Sequence, residues 1–367
     1  CRHPGAGDLH GGVGGENGAV GLVYRGGRKM YADQLFSIFD GRNILFVTTK
    51  GVSYLRNTQE CGALQKHCSE VYLAGNDSKK YAVRVLKAYE KSIRVLATKK
   101  IDGAFVGFAP QLMLPLLWLL KKSGKKVTID FFISLYDTFV CDRKKIKKNS
   151  AAAKVLHWID KRTLSLADCY IADTKAHQDY FVNEFDADPQ KGAVLYLEAD
   201  RTIYHPMAVE KPDEWKDKFV VLYFGSVLPL QGIPVILEAI RRCKPDDRIR
   251  FMFVGPLDKS LNVDTDEYTN TMFYAWLPQE ELAKKIAMAD LCLAGHFNSE
   301  IDKAKRTIAG KTYIYRAMGK PVVLGDNAAN RELFAEEPKQ IYYVEMGNAE
   351  ALAKLIEYVA DDWSRGK

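Results

Sequence analysis

The feature that most constrains the fold is an alternation of short apolar runs with helix-like segments, which occurs twice along the chain. The first series extends from Asn43 to Leu197, and the second begins at Phe219 and ends at Val344. Strands that alternate with helices form parallel sheets that are covered by helices on both faces. The sequence therefore predicts an α/β protein with two Rossmann-like parallel-sheet domains that face a cleft.

Composition along the chain sets the expected domain boundaries. Residues 1–29 are rich in Gly and contain almost no large apolar residues, which predicts a disordered or artefactual tail. The first domain is predicted at 30–207, and a polar stretch with prolines predicts a linker at 208–217. The second domain is predicted at 218–347. A terminal helix at 348–367 is expected to pack back towards the first domain.

The overall composition narrows the class of protein. With 47% apolar and 27% charged residues, the chain has the make-up of a globular protein. Its most apolar stretch, Ala109–Leu120, is short and contains Pro110 and Pro115, which predicts a buried helix instead of a membrane span. The seven cysteines are scattered without metal-ligand spacing. We therefore expect no metal site, no structural disulfide and a reducing compartment.

A basic segment of the second series offers the best candidate for an anion site. Gly310 is predicted to open a short helix, whose N-terminal N–H groups and partial positive charge can hold a phosphate. Glycine also lets a ligand approach the backbone closely. The cations around this point are Lys303, Lys305, Arg306 and Lys311. The alternative interpretation is a connecting helix with a solvated basic face.

A second basic run, in the first domain, has two interpretations. It comprises Arg143, Lys144, Lys145, Lys147 and Lys148, and blocks of like charge usually form solvated loops. The other interpretation joins this run to the lysines within 121–126 and to the Leu/Trp-rich stretch that precedes them. Together they would suit an anionic membrane surface or a phosphate-bearing acceptor. Nucleic acid is not an expected partner because no recognition motif accompanies the charge.

The residues that follow the predicted strands, and the isolated histidines, do not support a dehydrogenase or a hydrolase. Ligands of parallel α/β sheets bind beyond the carboxyl ends of strands, which here include Gly51 and Asp130. No G-x-G-x-x-G motif follows the first strand of either series, so a nicotinamide dehydrogenase is not expected. The isolated histidines give no support to hydrolase chemistry: they are His157, His177 and His296.

Several short motifs follow one another in a characteristic order. In the second series they are Tyr223-Phe224-Gly225-Ser226, Leu230-Gln231-Gly232-Ile233, Phe253-Val254-Gly255, Trp276-Leu277-Pro278, Ala289-Asp290, and Lys311 with Ala317-Met318-Gly319-Lys320-Pro321. In the first they are Asp130–Thr138, Leu166-Ala167-Asp168 and Asp173-Thr174. From about Asn43 to its C-terminus, the chain resembles the retaining, nucleotide-sugar-dependent glycosyltransferases of family 4, which have the GT-B fold. The first-domain motifs resemble a bacterial subgroup.

The resemblance implies transfer of a sugar from a UDP- or GDP-linked donor to a glycan or lipid-linked acceptor, in cell-surface polysaccharide or glycoconjugate synthesis. It implies no cofactor and a cytoplasmic location, peripheral at the inner face of the membrane. By this resemblance the catalytic residues are Asp130, Arg306 and Lys311. The donor-binding residues would be Gly225, Ser226, Gln231, Gly232, Gly255, Leu277, Pro278, Gly310, Thr312 and Tyr313. The acceptor-binding residues would be Gly51, Arg56, Ser134, Tyr136 and Asp137.

Some positions depart from the family pattern. Ile314 stands where the family has a glutamate that holds the donor ribose, and isoleucine accepts no hydrogen bond. Ser226 and Gln231 stand where the family has an arginine and a lysine, so positive charge is missing from the phosphate site. These departures leave two other functions open: a non-catalytic nucleotide-sugar-binding module of the same fold, and a sugar-nucleotide epimerase.

Overall fold

The structure, a computed structural model, describes residues 22–25, 28–257 and 263–366. Within these residues the chain forms two β-sheets with helices packed against their faces. The strands of the first sheet are β1 Leu22–Arg25, β2 Arg28–Tyr31, β3 Asn43–Val47, β4 Glu70–Ala74, β5 Gly103–Val106, β6 Lys126–Asp130, β7 Cys169–Ala172 and β8 Gly192–Leu195. The helices of this domain are α1 Ala32–Phe36, α2 Leu55–His67, α3 Tyr81–Thr98, α4 Leu114–Lys122, α5 Ala151–Leu166 and α6 Lys175–Phe185.

The second domain has the same alternating organisation. Its strands are β9 Phe219–Phe224, β10 Ile249–Val254, β11 Thr271–Tyr274, β12 Leu291–Leu293, β13 Val322–Gly325 and β14 Ile341–Val344. Its helices are α7 Ile233–Arg242, α8 Gln279–Met288, α9 Asp302–Arg306, α10 Gly310–Ala317, α11 Ala328–Leu333 and α12 Ala349–Arg365. The strands lie in the order β11-β10-β9-β12-β13-β14, and all pairings are parallel.

The first sheet contains a parallel part and an antiparallel edge. Its order is β2-β1-β8-β7-β6-β5-β3-β4, and the strands from β8 to β4 are parallel. The β1–β2 hairpin extends this sheet, with Val23 paired antiparallel to Leu195. The predicted tail is therefore wrong for residues 22–25 and 28–29, because β1 pairs with the edge of β8 and β2 pairs with β1. Residues 1–21 lie outside the described residues.

Each sheet is packed on both faces, as expected of an α/β protein. One face of the first sheet packs on α3 to α6, and the other packs on α1 and α2. The β-branched and aromatic residues of the strands supply both cores. The prediction of two Rossmann-like parallel-sheet domains is confirmed.

The terminal helix packs on the second domain. The buried face of α12 includes Leu352, Ile356 and Val359, which share a core with α7 and β9. This face is apolar at helical spacing, so it must be buried against another element. The prediction that the terminal helix packs back towards the first domain is wrong, because α7 supplies the nearest complementary apolar surface.

Side chains of both domains meet between the two sheets. Glu332 of α11 accepts hydrogen bonds from the backbone N–H groups of Lys175 and Ala176 at the start of α6, at 2.7 and 3.0 Å. Thr174 Oγ1 donates to the Arg306 carbonyl oxygen. Within the predicted linker, Trp215 is buried and Lys211 pairs with Asp290. The carboxyl ends of β6 to β8 therefore lie close to the second domain, where a cleft ligand would have to sit.

The apolar Ala109–Leu120 stretch contributes buried residues to the core of the first domain. Leu116, Leu117 and Leu120 of α4 are buried against the first sheet. None of the helices among the described residues is both long and apolar enough to cross a bilayer.

Candidate functional site

A buried lysine is the centre of the candidate site. Lys311 is the second residue of α10, and its side chain is buried. Its Nζ donates a hydrogen bond to Gln231 Oε1 and lies 4.8 Å from the centre of the Tyr223 ring. Lys311 forms no salt bridge with a carboxylate in the part of the chain that the structure describes. Burial lowers the pKa of Lys311 to about 7. A buried cation without a counter-charge is costly, which makes the position a candidate for an anionic ligand.

Two glycines border the Lys311 ammonium. Gly225 follows β9 and Gly295 follows β12, and a Cβ atom at either would lie 3.1 Å from Lys311 Nζ. A Cβ at Gly295 would also lie 2.4 Å from Gln231 Oε1. Both glycines have positive φ angles, +152° and +80°. Glycine is required here because a side chain would displace the lysine and would strain the backbone.

Gly255 brings the ends of two strands together. It follows β10, and a Cβ at this position would lie 2.1 Å from the Gly225 carbonyl oxygen. Gly232 has a φ of +70° at the start of α7, where a Cβ would lie 2.7 Å from the Phe297 backbone. These close approaches keep the carboxyl edge of the second sheet compact around Gln231 and Lys311.

His296 is a site residue that sequence reasoning treated as isolated. It is buried beside Lys311, and its Nδ1 lies 3.0 Å from the Thr307 carbonyl oxygen. Burial, and next the Lys311 charge, lower the pKa of His296 to about 3. The neutral ring therefore donates from Nδ1 to this carbonyl. Its φ of +61° is uncommon for a residue with a Cβ, and such strain clusters at functional sites.

The position of His296 in the sequence carried a usable signal. It follows Gly295 at the carboxyl end of β12, next to β9 in the sheet. The carboxyl edge of a parallel sheet is where ligands bind. The strand order that brings β12 beside β9 is not visible in the sequence.

The expected group of four cations does not form around Gly310. Lys305 pairs with Asp302, at 2.9 Å, on the surface of α9. Lys303 donates to Thr138 Oγ1 of the first domain, at 3.2 Å. Arg306 also reaches the first domain, where it pairs with Asp137. The prediction of a four-cation site is wrong because α9 directs these three side chains away from the start of α10.

Arg306 connects the two domains. Its Nη2 lies 2.9 Å from Asp137 Oδ1, and its guanidinium stacks 3.8 Å from the centre of the Tyr180 ring. Asp137 was predicted to bind the acceptor, but its side chain is buried in this pair. The structure therefore assigns both residues to an interdomain contact at the side of the cleft. This geometry does not support the predicted catalytic role of Arg306.

The start of α10 lies close to the first domain. A Cβ at Gly310 would lie 3.5 Å from Leu197 of the first domain. The Thr312 side chain is fully buried, and its hydroxyl has no hydrogen-bond partner among the described residues. Tyr313 is also buried. A buried hydroxyl that lacks a partner is unusual in a folded protein and is consistent with a ligand contact.

Three predicted donor residues lie along the same edge of the second sheet. Ser226 directly follows Gly225, and Leu277 and Pro278 follow the edge strand β11. Leu277 is half-buried, whereas Pro278 is exposed at the start of α8. The donor contacts of these residues stay predictions.

In the first domain, the Asp130 carboxylate forms a buried ion pair and is not available as a general base. Arg56 of α2 binds Asp130 in a bidentate manner, since its Nε and Nη2 each lie 2.7 Å from an Asp130 oxygen. Arg56 Nη1 also donates to the Leu195 carbonyl oxygen at 2.8 Å. Burial opposes the charge of Arg56, but Asp130 outweighs it, so the pKa of Arg56 lies above its ordinary value.

Glu60 completes this buried group. Its Oε1 lies 3.5 Å from Arg56 Nε, and burial followed by the charge of Asp130 raises its pKa well above the usual range. A protonated Glu60 leaves the Arg56–Asp130 pair with one negative and one positive charge. Both Asp130 oxygens are occupied by Arg56, so the predicted catalytic role of Asp130 and the acceptor role of Arg56 are not retained.

Other predicted acceptor residues support the first domain. Ser134 Oγ donates to Asp160 at 2.7 Å, and the Tyr136 ring packs against His157 and Phe185. Both residues are buried. Ser134 is fully buried, whereas Tyr136 lines a small surface pocket with Lys148 and Lys154, and the predicted contact of both residues with an acceptor stays a prediction.

A cluster of aromatic rings occupies the carboxyl edge of the first sheet near Gly51. Phe108 packs edge-on against Tyr54 and Phe132, with ring centres 5.6 and 5.7 Å apart. Lys50 Nζ lies over both Tyr54 and Phe108, at 5.5 and 5.3 Å. These side chains are half-exposed. Residue-by-residue sequence reasoning missed this cluster because its members come from the ends of different strands.

Comparisons with known proteins identify related folds. Residues 218–362 match the family model described as glycosyl transferases group 1. No curated protein gives a significant sequence match. The fold is similar to that of sucrose-phosphate synthase from Thermosynechococcus elongatus, with 14% identity and a TM-score of 0.64, over 88% of this chain and 90% of that chain.

Two further solved structures have the same architecture. HepE from Anabaena in complex with UDP is 15% identical, with a TM-score of 0.60, over 88% of this chain and 90% of that chain. The lipopolysaccharide outer core galactosyltransferase WaaB, in its apo form, is 14% identical, with a TM-score of 0.55, over 88% of this chain and 91% of that chain. At this identity the likeness establishes the fold alone.

Proposed function

We propose that this protein transfers a sugar from a nucleotide diphosphate to an acceptor. The chain has the GT-B fold, and its second domain matches the glycosyl transferases group 1 family. The donor is UDP- or GDP-linked, and the acceptor is a glycan or lipid-linked molecule. The reaction retains the anomeric configuration and serves cell-surface polysaccharide or glycoconjugate synthesis. It takes place in the cytoplasm, at the inner face of the membrane.

One observation carries this proposal: the buried Lys311 ammonium has no carboxylate partner among the described residues. Its neighbours are Gln231, the Tyr223 ring and the backbone of Gly225 and Gly295, none of which carries a negative charge. A diphosphate supplies the missing negative charge, and binding restores the protonated form of Lys311. The UDP bound to HepE, a protein of the same fold, is consistent with a nucleotide donor.

The catalytic contribution of Lys311 is electrostatic. Negative charge grows on the leaving diphosphate as the bond to the sugar breaks, and a buried cation stabilises that charge without reorganisation of solvent. The N–H groups at the start of α10 belong to the same helical turn as Lys311 and would add to the effect. No metal ion enters this proposal.

The contact between Gln231 and Lys311 accounts for one departure from the family pattern. The resemblance places a lysine at position 231, and this chain has glutamine there. The Gln231 amide oxygen accepts a hydrogen bond from Lys311, so the cation is supplied from α10 instead of from the turn before α7. A lysine at position 231 would instead place two buried ammonium groups in contact, which is unfavourable.

The remaining donor contacts follow from the carboxyl edge of the second sheet. We place the nucleobase against Leu277 and Pro278, and the diphosphate between Gly225, Ser226 and the start of α10. Gly310, Thr312 and Tyr313 border the sugar side. On the first domain, the acceptor side is Gly51 together with the aromatic cluster of Tyr54, Phe108 and Phe132.

A second candidate function is a nucleotide-sugar-binding module without turnover. Ile314, at the expected ribose-binding position, is half-buried and packs against the core of the second domain. It cannot form the hydrogen bond that a glutamate would make with a ribose hydroxyl. Weaker binding of the ribose would lower the affinity for the donor more than it lowered the rate of the chemical step.

Calorimetry with uridine, guanosine and cytidine diphosphate sugars tests the proposal. The wild-type chain should bind one class, and Lys311→Met should weaken that binding at least tenfold. Lys320→Met is the matched control, because Lys320 follows the same helix but donates to the Ala289 carbonyl oxygen just before β12, at the amino edge of the sheet. The control variant should keep wild-type affinity.

Turnover assays then separate the alternatives. Transfer or donor hydrolysis supports the glycosyltransferase, and binding without turnover supports the module. An isomerised sugar nucleotide formed without an acceptor supports an epimerase. Absence of binding to every donor would contradict all three functions.

A further inference from the structure

Three neighbouring helices of the first domain expose large apolar side chains. They are α3, α4 and α5, which cover the same face of the first sheet and share one hydrophobic core. The exposed residues have between 45% and 68% of their surface open to solvent, so they are not part of that core. We call this region the outer helix surface and define it by Leu86, Ile93, Trp118, Leu119, Val155 and Trp158.

The positions of these residues place them on one side of the molecule. Leu86 and Ile93 are seven residues apart on α3, a spacing that puts them on one helix face. Trp118 and Leu119 lie on α4, which packs beside α5. Tyr89 of α3 donates to the Leu112 carbonyl oxygen just before α4, at 2.9 Å, so the three helices form a continuous layer.

Inward-facing residues of the same helices already fill the core. Ala88, Leu116, Leu117 and Ala153 are buried against the sheet. The outward residues are therefore not needed to cover the sheet, and large apolar residues grouped on a surface mark an interaction site.

The outer helix surface is also strongly basic. The helices α3, α4 and α5 together contain nine lysines and arginines but only two acids, Glu90 and Asp160. Asp160 is buried, and Glu90 is paired with Lys87 and Arg94. Lys121 and Lys161 pair with Asp168 and Asp186, which lie outside these helices. The exposed basic loop at 143–148 continues this charge up to the start of α5.

We infer that the outer helix surface docks the protein on an anionic lipid bilayer. Trp and Leu side chains partition into the headgroup region, while lysines beside them remain at the level of the lipid phosphates. Trp118 has a lysine of this kind beside it, since Lys122 Nζ lies 5.9 Å from the centre of its ring. Basic residues near a bilayer gain further affinity from the negative surface potential.

The charge pattern argues against a second copy of the chain as the occupant. A symmetric dimer would place the same surface on both subunits face to face. Exposed cations that form no salt bridge within the described residues, such as Lys122 and Lys154, would then lie opposite their own copies. Nucleic acid would be attracted by the lysines, but it gains little from exposed leucine and isoleucine side chains.

The surface also adjoins the cleft. The helix α3 begins after the carboxyl end of β4, and Arg84 near its start donates to the Thr49 carbonyl oxygen beyond β3, at 3.2 Å. A bilayer on the outer helix surface would thus lie beside the first-domain edge of the cleft. A lipid-linked acceptor could enter from that side, a consequence that rests on the proposed function, whereas the docking itself does not.

Vesicle co-sedimentation of the full chain tests the docking. Wild-type protein should bind phosphatidylcholine vesicles that contain phosphatidylglycerol and should bind pure phosphatidylcholine vesicles weakly. The variant Trp118→Ser with Trp158→Ser should lower affinity by about tenfold for each side chain removed. Lys122→Glu with Lys154→Glu should lower affinity for the anionic vesicles by at least about fivefold for each residue.

A matched control uses an exposed aromatic residue of the second domain. Tyr358 on α12 has 66% of its surface exposed, and Tyr358→Ser should leave vesicle binding unchanged. Thermal unfolding of each variant should match the wild type, because the substituted side chains lie outside the cores.

The outcomes are distinct. The docking is overturned if the wild-type chain binds neither kind of vesicle, or if the tryptophan variant binds as the wild type does. Sedimentation velocity that reveals a dimer dissociated by Trp118→Ser, or a stronger response to DNA than to vesicles, would overturn it as well. Donor binding in calorimetry is unaffected by these results, so failure of the docking and failure of the proposed function are separately visible.

Discussion

Two buried cations lie on opposite sides of the interdomain cleft and are held in opposite ways. Arg56 of the first domain is fixed by both oxygens of Asp130 and by a backbone carbonyl. Lys311 of the second domain has an amide oxygen and an aromatic ring as neighbours. The pKa of Arg56 is raised, whereas burial lowers the pKa of Lys311 to about 7.

The difference indicates which of the two cations stabilises the fold and which can bind a ligand. A buried ion pair whose hydrogen bonds are complete is part of the fold, and it has little left to offer a ligand. A buried cation without a counter-charge costs folding free energy, and that cost is recovered when an anion binds. The contrast predicts that Arg56 matters for stability and that Lys311 matters for the reaction.

The largest expected effect is on stability. Arg56→Met leaves the Asp130 carboxylate buried and unpaired, so the free energy of unfolding should fall by about 3 to 5 kcal/mol. Chemical denaturation followed by circular dichroism measures this change. As a control, Arg56→Met combined with Asp130→Leu removes both charges and should recover much of the loss. A single variant as stable as the wild type would contradict the assignment of Arg56 to the fold.

Lys311→Met should lower turnover strongly and change the free energy of unfolding little. Loss of the cation should lower turnover by roughly a hundredfold to a thousandfold, the range seen when one stabilising group is removed from a charged transition state. The free energy of unfolding should stay the same or rise, because methionine fills the space without a buried charge. Steady-state kinetics and denaturation on the same preparation decide between this profile and a structural role for Lys311.

The lowered pKa of Lys311 predicts a pH dependence of donor binding. Above pH about 7 the free protein holds Lys311 neutral, and diphosphate binding must then take up a proton. Donor affinity should therefore fall by up to about tenfold for each pH unit above 7. Calorimetry across pH 6 to 9 measures this slope, with Lys320→Met as a control that keeps it. A flat profile in the wild type would show that Lys311 does not titrate on binding.

The smallest effect is expected for Arg306. Its pair with Asp137 joins the domains but is partly open to solvent on the arginine side, which weakens the interaction. Arg306→Ala should lower kcat/KM by about fivefold, through poorer alignment of the two halves of the site. Steady-state kinetics of this variant and of Asp137→Asn should give similar losses. A loss for Arg306→Ala as large as that for Lys311→Met would restore a direct catalytic role for Arg306.

Most elements of the fold were predictable from local pattern. The two predicted series, Asn43 to Leu197 and Phe219 to Val344, contain every strand from β3 to β14 and the helices between them. The elements that were missed are short or weakly apolar, such as the β1–β2 hairpin and α9. Their positions depend on pairing with a distant strand or on contacts with the other domain.

The candidate site was predictable only in part. The turn glycines and Lys311 were found because their positions follow strand and helix ends. The orientation of neighbouring cations was not, since Lys303 and Arg306 reach residues more than 160 positions away along the chain, in the first domain. Asp130 looked available in the sequence because its partner Arg56 lies 74 residues earlier.

The sequence by itself determined the order of strands and helices, the two-domain organisation and the glycine-bordered start of α10, because hydrophobic periodicity and backbone preference act over a few neighbouring residues. Only the tertiary structure decided which charged side chains have a counter-charge and which do not. Lys311 and Gln231 are 80 residues apart, and His296 joins them from a third segment. Electrostatic partnership depends on distance in space, which the order of residues does not specify.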